Sequence, residues 1–235
     1  MPVPTAIRSA SGRLLQPLPT SFIEAQVADL AEHRPLDAAL IGNLSTLGMI
    51  ETVASLLEMH WLDTVVLDLN AFPRDRYGRI PADLLEAVGL FLAPQVSLAV
   101  MDDDLAERLT GVPICEPTDL VTAARKVRRI IKVDAVVLRG VERVTGPYDV
   151  QVLSEGQQEH RHQVVPCLSQ APVGLDAVYA AAAVAHLAHG LSRSDAAQAA
   201  QQYAAEVHRC TATAPGAVPL ADPFAFLGAG VVFAG

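Results

Sequence analysis

The sequence predicts an α/β domain with a mainly parallel sheet covered by helices. Short apolar, β-branched runs alternate several times with stretches of helical spacing along the 235 residues, an order typical of parallel sheets. Residues 64–68, Thr-Val-Val-Leu-Asp, form a continuous run rich in β-branched residues, of the kind found in strands buried on both faces. No stretch has the composition of a linker or repeats another. We therefore predict that residues 1–235 form a single domain.

The composition excludes several classes of partner and location. The chain is 51% apolar and has a formal net charge of −9, which argues against nucleic acid or an anionic membrane as its partner. No apolar run is long enough to cross a bilayer, and residues 1–5 have none of the features of a signal peptide. Cys115, Cys167 and Cys210 form no CxxC pair. A reducing compartment is expected, and the predicted location is cytoplasmic.

The first half of the chain begins with residues 1–20, whose four prolines predict an extended lead-in. Helical spacing then begins at Ser21, which is placed to cap a helix. The predicted elements that follow are an apolar run at 36–41, a helix at 47–60, the strand at 64–68, a loop at 71–81, a helix at 82–93 and a strand at 96–100.

The second half continues the same alternation. Gly111 and Gly140 are placed to end a helix and a strand. The predicted elements are helices at 103–110 and 117–131, a strand at 135–139, an antiparallel hairpin of 150–153 with 163–168 across polar residues 154–162, and helices at 177–189 and 194–210. The apolar, glycine-rich tail, residues 213–235, is not assigned to an element.

Ligands of such sheets bind beyond the carboxyl ends of the strands, and that position selects a set of candidate residues. They are Gly42 with Asn43, Asp68 to Asn70, Asp102, Arg139 with Gly140, and Gly174 to Asp176.

The turn around Asp176 is the most informative of these. Asp176 precedes an Ala-rich helix and is placed to cap it, while Gly190 is placed to end that helix in the left-handed conformation. The N-terminus of a helix also favours an anion. Two interpretations stay open: a capped, buried helix, or an anion hole with a carboxylate beside it.

Several segments in colinear order carry a family resemblance. They are 36–44 (LDAALIGNL), 65–68 (VVLD), 105–111 (LAERLTG), 136–140 (VVLRG), 173–176 (VGLD) and 190–207. Together, over about residues 5–212, the chain resembles the hydroxymethylpyrimidine/phosphomethylpyrimidine kinases of thiamine biosynthesis, members of the ribokinase-like superfamily. The resemblance implies a ribokinase-like three-layer sandwich.

The same resemblance implies a transferase that moves a phosphoryl group from ATP, with Mg²⁺, to a hydroxymethyl group. It offers Asp176 as the general base and no residue as a resident metal ligand. It further implies an anion hole at Gly174 and Leu175, a nucleotide or metal vicinity at Asp68, Asp102, Glu107, Arg139 and Gly140, and a substrate vicinity at Gly42 and Asn43. The expected partners are a nucleotide or phosphorylated pyrimidine and, because such kinases are commonly dimers, a second copy of the chain.

The chain departs from the family pattern at several of these positions. Val173 and Leu175 replace glycines of the family's turn, and branched side chains oppose the close backbone approach that glycine permits. Asp102 stands where the family has a neutral amide, Leu105 replaces a Glu of the magnesium network, and Arg139 replaces a Lys. The family's first strand, substrate loop and helix have no counterpart in this sequence.

These departures predict a degenerate, pseudokinase-like member of the family. Losing one preorganised donor typically lowers a rate by about 10²–10³, so several losses would leave weak or absent kinase activity and a role in binding or assembly. The alternative is an active ATP-dependent kinase of a hydroxymethylpyrimidine-type substrate with Asp176 as base. A third hypothesis is a subunit that completes its sheet with another chain.

Two further groups of residues each leave a choice open. His160 and His162 lie on one face of a predicted strand and have a spacing that metals can use, although an exposed hairpin is the simpler interpretation. Arg74, Arg76 and Arg79 share a loop and either grip a phosphate or are solvated charges.

Overall fold

The computed structural model describes residues 3–8, 15–33, 35–142, 148–156, 158–166 and 173–211. The described chain begins with a short antiparallel hairpin of β1 (Ala6–Arg8) and β2 (Leu15–Pro17). The predicted lead-in therefore contains paired strands. The tail at 213–235 lies outside the described residues.

A six-stranded sheet forms the centre of the molecule, with its strands in chain order. The strands are β3 (Ala39–Ile41), β4 (Val65–Asp68), β5 (Leu98–Asp102), β6 (Ala135–Glu142), β7 (Tyr148–Glu155) and β8 (Gln158–Pro166). Strands β3 to β6 are parallel, whereas β7 and β8 are antiparallel additions. The prediction of a mainly parallel sheet is confirmed.

Seven helices accompany the strands in the described part of the chain. They are α1 (Thr20–His33), α2 (Leu47–Met59), α3 (Ala82–Ala87), α4 (Asp103–Thr110), α5 (Pro117–Ile131), α6 (Leu175–Ala188) and α7 (Arg193–Cys210). The last turns of the predicted helix at 82–93 differ from a regular α-helix, because α3 continues as a π-helical segment, Val88–Leu92, and a 3₁₀ turn, Ala93–Gln95.

Two apolar cores on opposite faces of the sheet produce three layers. Alternate residues of β4 point to opposite faces of the sheet. Leu67 belongs to the core on the side of α1 to α5, and Val66 belongs to the core on the side of α6 and α7. All four residues of β4 are buried, as predicted from the continuous apolar run. The structure thus has the three-layer arrangement that the family resemblance implies.

The structure corrects three local predictions. Strand β6 continues through Gly140 to Glu142, where it pairs with β7, so Gly140 does not end the strand. Helix α1 begins at Thr20, so Ser21 lies inside the helix rather than capping it. The hairpin pairs Val150 with Gln163 as predicted, but β7 and β8 extend through most of the polar residues assigned to its loop. Antiparallel strands accommodate polar residues, and Gln151 and Ser154 of β7 are polar yet buried, so polarity alone did not indicate a loop.

Candidate functional site

The candidate site lies where β4 and β5 end, beside Arg139 of β6 and the start of α6. The parallel register aligns Asp68 with Val100 and Asp102 with Arg139. Side chains from three neighbouring strands therefore gather at one edge of the sheet, as the sequence predicted.

A chain of hydrogen bonds fixes the ends of β4 and β5. The Asp68 carboxylate accepts from the N–H of Asn70 at 3.0 Å, and the Asn70 side-chain oxygen accepts from the N–H of Asp102 at 2.9 Å. Asp102 in turn accepts from the N–H of Leu105 at 2.6 Å and caps α4. Asp102 therefore serves as a helix cap as well as lining the site.

Arg139 connects β6 to α6. Its Nη1 donates to Oδ1 of Asp176 at 2.6 Å, and its Cζ lies 4.4 Å from the centroid of the Tyr179 ring. The Tyr179 hydroxyl donates to Oε1 of Gln151 at 2.8 Å on β7. A buried aromatic ring and a charge-assisted hydrogen bond thus hold the guanidinium in place.

The site is rich in carboxylates. Burial, helped by the negative charges of Asp176 and Asp102, raises the pKa of Asp68 to about 6, although its bond from Asn70 and the charge of Arg139 lower it. Burial also raises the pKa of Asp102, although its bond from Leu105 and the charge of Arg74, 3.9 Å away, lower it. A cationic or hydrogen-bonding ligand placed here would relieve part of this repulsion.

The turn before α6 differs from the predicted geometry. The N-cap of α6 is Gly174, which adopts a left-handed φ of 91°, and Asp176 is the second helical residue. The prediction that Asp176 caps the helix is therefore wrong. Gly174 has no side chain with which to cap, so the first N–H groups of α6 keep the capacity to bind an anion.

The two branched residues of this turn do not behave alike. Leu175 is 6% exposed and packs in the core between the sheet and α6 and α7. Val173 is 58% exposed. Leu175 therefore does not fill the space in front of the helix, contrary to the expectation that both side chains would close this turn.

A groove of about 1150 Å³ runs from this site along β3, with walls from α1, α2 and α6. Asp68, Ala177, Gly42 and Asn43 line one end of it. The backbone oxygen of Asn43 accepts from the Thr5 hydroxyl at 2.6 Å, while its side-chain oxygen is buried without a partner among the described residues. The groove therefore joins the predicted substrate vicinity to the carboxylate site.

Two of the predicted site residues have a different environment. The exposed carboxylate of Glu107 accepts from the N–H of Ile114 at 3.5 Å, toward the far end of α4, so the structure does not bring Glu107 to this group. Gly140 lies against Asp103 at the start of α4, where its lack of a side chain permits close packing.

The described part of the chain does not gather its carboxylates, imidazoles and thiols into a metal site. No cluster of three or more His, Cys, Asp or Glu side chains suited to a metal ion occurs there. The side chains of His160 and His162 lie outside the described residues, so their pairing stays a prediction.

The site fits the phosphates of a nucleotide better than it fits a free metal ion. The N–H groups at the start of α6 and the guanidinium of Arg139 are suited to phosphate oxygens. Mg²⁺ commonly binds through one or two carboxylates together with phosphates, and Asp102 is the residue placed to contribute here. Such an ion would neutralise phosphate charge.

The described chain also shows no helix long and apolar enough to cross a membrane. A three-layer α/β sandwich with a mainly parallel sheet, whose strands end beside a glycine turn and a helix start, has the architecture of a ribokinase-like protein. The sequence model of the phosphomethylpyrimidine kinase family matches residues 3–219. The chain belongs to the phosphomethylpyrimidine kinase family.

Individual relatives agree with this assignment. The chain is 29% identical over 206 residues to the hydroxymethylpyrimidine/phosphomethylpyrimidine kinase of Streptomyces coelicolor, covering 86% of this chain and 75% of that protein. Its fold is similar to that of pyridoxal kinase from Staphylococcus aureus in complex with AMP-PCP, with a TM-score of 0.79, 20% identity and coverage of 94% and 80%. The phosphomethylpyrimidine kinase from Clostridium difficile 630 gives a TM-score of 0.66 at 19% identity, with coverage of 88% and 85%.

Sequence reasoning missed Tyr179 as a member of the site. Tyr179 follows Asp176 by three positions in α6, a spacing that places both residues on the same helix face. An aromatic residue one turn beyond a candidate acid was the available signal, but the surrounding alanines suggested only helix packing.

Proposed function

We propose that this protein binds a nucleotide or a phosphorylated pyrimidine in an inherited kinase site but transfers a phosphoryl group weakly or not at all. The observation that carries the proposal is the ion pair between Arg139 and Asp176, whose Nη1 and Oδ1 lie 2.6 Å apart. The family resemblance offers Asp176 as the general base of the reaction.

A general base must approach the hydroxyl proton that it removes. Here one carboxylate oxygen of Asp176 is bonded to a guanidinium, and Arg139 is itself held by the ring of Tyr179. Moving Asp176 toward a substrate would break a charge-assisted bond and leave Arg139, whose side chain is only 14% exposed, without its carboxylate partner. The pair therefore disfavours proton abstraction by Asp176.

Anion binding is supported by features that the departures from the family leave intact. Gly174 supplies the left-handed turn before α6, and Leu175 is directed into the core rather than in front of the helix. A phosphate at this position would accept from backbone N–H groups and from Arg139.

An active kinase is the second candidate, and the groove is the observation that favours it. Asp68 and Ala177 line the groove beside the start of α6, and Gly42 and Asn43 lie at the same end. A small alcohol bound there would lie near Asp176. In this alternative, the arriving phosphate would draw Arg139 away from Asp176 and release the carboxylate.

Ligand-induced thermal shifts test the binding half of the proposal. A ligand that binds only the folded state raises the unfolding midpoint. We expect ADP and ATP with Mg²⁺ to raise it, and Arg139→Gln to reduce the shift. Arg129→Gln is the matched control, because this exposed arginine of α5 takes no part in the site. No shift with any nucleotide or pyrimidine phosphate would contradict retained binding.

A further inference from the structure

One carboxylate oxygen in the groove takes no hydrogen bond from the described residues. Asp68 is 4% exposed and lines the end of the groove beside α6. Its Oδ1 accepts from the N–H of Asn70 at 3.0 Å, and this is the hydrogen bond that the described chain gives to the carboxylate. Oδ2 is not sealed from solvent, so it borders open space in the groove. Because buried polar groups are normally hydrogen-bonded, this oxygen is suited to a ligand.

The alternation of residues along β4 places the Asp68 side chain on the α6 side of the sheet. Val66 belongs to the core on that side, and Asp68 lies two positions further along the same strand, on the same face. Arg139 belongs to the same site, but its Nη1 donates to Asp176 at 2.6 Å. The Asp68 carboxylate therefore presents an unpaired acceptor to the space between β4 and α6.

The surroundings of this oxygen are rich in acceptors. Asn43 lines the same end of the groove, and its side-chain oxygen has no partner among the described residues. The hydroxyl of Thr5, a donor, is already bonded to the backbone oxygen of Asn43 at 2.6 Å. The negative charges of Asp102 and Asp176 also act on Asp68. A ligand that covers this end of the groove must bring its own donors, because covering an unpaired acceptor is unfavourable.

The walls beside Asp68 suit a flat apolar surface. Ala177 and Ala181 lie one turn apart on α6 and line the groove together. Gly42 and Ala71 also line it, and a Cβ added at Gly42 would lie 3.4 Å from the Cβ of Ala71. Small side chains without polar atoms can contact the face of a planar ring without directing hydrogen bonds to it.

We propose that Asp68 is the specificity-determining residue of this groove, and that its Oδ2 accepts a hydrogen bond from an amino group on a planar heterocycle. The role deepens the proposed function and rests on its binding half, in which a pyrimidine occupies the site. It differs from the nucleotide or metal vicinity that the family resemblance implies for Asp68. A ring amino group fits better than an alkylammonium ion, which has three donors and no flat face for the small side chains to contact.

Isothermal titration calorimetry with two matched ligands tests the proposal. The first is hydroxymethylpyrimidine, which carries a ring amino group, and the second is its analogue with a methyl group in place of that amino group. The two ligands have similar size, but the methyl group cannot donate. We expect the unmodified protein to bind the amino ligand more tightly by about tenfold or more, as is typical of a hydrogen bond to a charged group.

Asp68→Asn tests the role of Oδ2 while keeping the local turn. The amide oxygen of asparagine can still accept from the N–H of Asn70, and the amide nitrogen then places a donor where Oδ2 stood. The ratio of the two affinities should therefore fall to about one. Asp83→Asn is the matched control, because Asp83 is an exposed carboxylate in the first turn of α3. This control should keep the full ratio.

Several results would overturn the role of Asp68. They are equal binding of the two ligands by the unmodified protein, no binding of either, and a preference for the amino ligand that survives in Asp68→Asn. A thermal shift with Mg²⁺ alone that disappears in Asp68→Asn would also overturn it, by assigning Oδ2 to a metal ion. Titration with ADP distinguishes the two proposals. If ADP binds and the pyrimidines are not distinguished, only the role of Asp68 is refuted, whereas loss of all binding refutes the proposed function as well.

Discussion

Asp68 is a buried carboxylate, 4% exposed, whose environment raises its pKa from 3.8 to about 6. Its position followed from the sequence, since it ends a continuous apolar strand. The repulsion from Asp102 and Asp176 could not be predicted, because it depends on how three distant segments meet. The same holds for the bond between Arg139 and Asp176, which lie 37 positions apart in the chain.

The raised pKa gives Asp68 a pH-dependent effect on stability. Between pH 3.8 and about 6 the folded protein holds a proton on Asp68 that the unfolded chain has released, so this residue lowers the free energy of unfolding as pH rises through that window. Asp68→Asn removes this loss and should raise the free energy of unfolding at pH 7 by about 1–3 kcal/mol.

Urea unfolding of both proteins at pH 4 and pH 7 measures this effect. The advantage of Asp68→Asn should grow toward pH 7, and carboxylates that do not interact with Asp68 cancel in the comparison. An advantage that is constant with pH would show that Asp68 titrates normally.

Gly140 is a second position where a single added carbon atom is expected to change the stability of the fold. A Cβ at residue 140 would lie 2.9 Å from a carboxylate oxygen of Asp103 and 3.1 Å from its Cβ. Gly140→Ala should therefore destabilise the fold by about 1–3 kcal/mol. Gly48→Ala is the control, since no atom lies within 4 Å of the added carbon and alanine is the better helix former. Denaturant midpoints that fall equally for both variants would contradict the crowding at Gly140.

At the scale of elements, the sequence predicted which segments are helices or strands better than it predicted where each one begins and ends. Helix α4 occupies the predicted residues 103–110, because Asp102 caps it and Gly111, with a φ of 67°, ends it. Gly190 likewise follows α6 with a φ of 85°. The start of α6 was misplaced because Asp is a common cap, whereas Gly174 takes that position through its backbone conformation alone.

The contact between α6 and β7 depends on a polar pair inside the core. Tyr179 and Gln151 are fully buried, and Nε2 of Gln151 has no partner among the described residues. Tyr179→Phe would remove the bond to Gln151 and should destabilise the fold by about 1–3 kcal/mol.

Adding Gln151→Leu to Tyr179→Phe also removes the buried side-chain amide that has lost its hydrogen bond from the Tyr179 hydroxyl. The double variant should therefore be more stable than Tyr179→Phe alone, as measured by thermal unfolding in a double-mutant cycle. Additive losses from the two changes would show that the hydroxyl and the amide do not interact.

At the scale of the whole molecule, the alternation of strands and helices was sufficient to predict the parallel sheet and its layers. The order of motifs was sufficient for the family, which the match over residues 3–219 confirms. The groove along β3 could not be predicted, because it depends on how α1, α2 and α6 are spaced around that strand.

The whole account depends on whether an inherited kinase architecture retains its reaction. The glycine turn before α6 and the guanidinium of Arg139 argue that anion binding persists. The pairing of Asp176 with Arg139 argues that proton abstraction is impeded. Phosphate transfer from ATP is therefore the property that separates this chain from an active kinase of the same fold.

The decisive measurement is the rate of phosphorylation of hydroxymethylpyrimidine and of its phosphate by ATP with Mg²⁺, for the unmodified protein and for Asp176→Asn. We predict a rate at or near background for both proteins. Efficient phosphorylation by the unmodified protein, abolished in Asp176→Asn while nucleotide binding persists, would contradict the account.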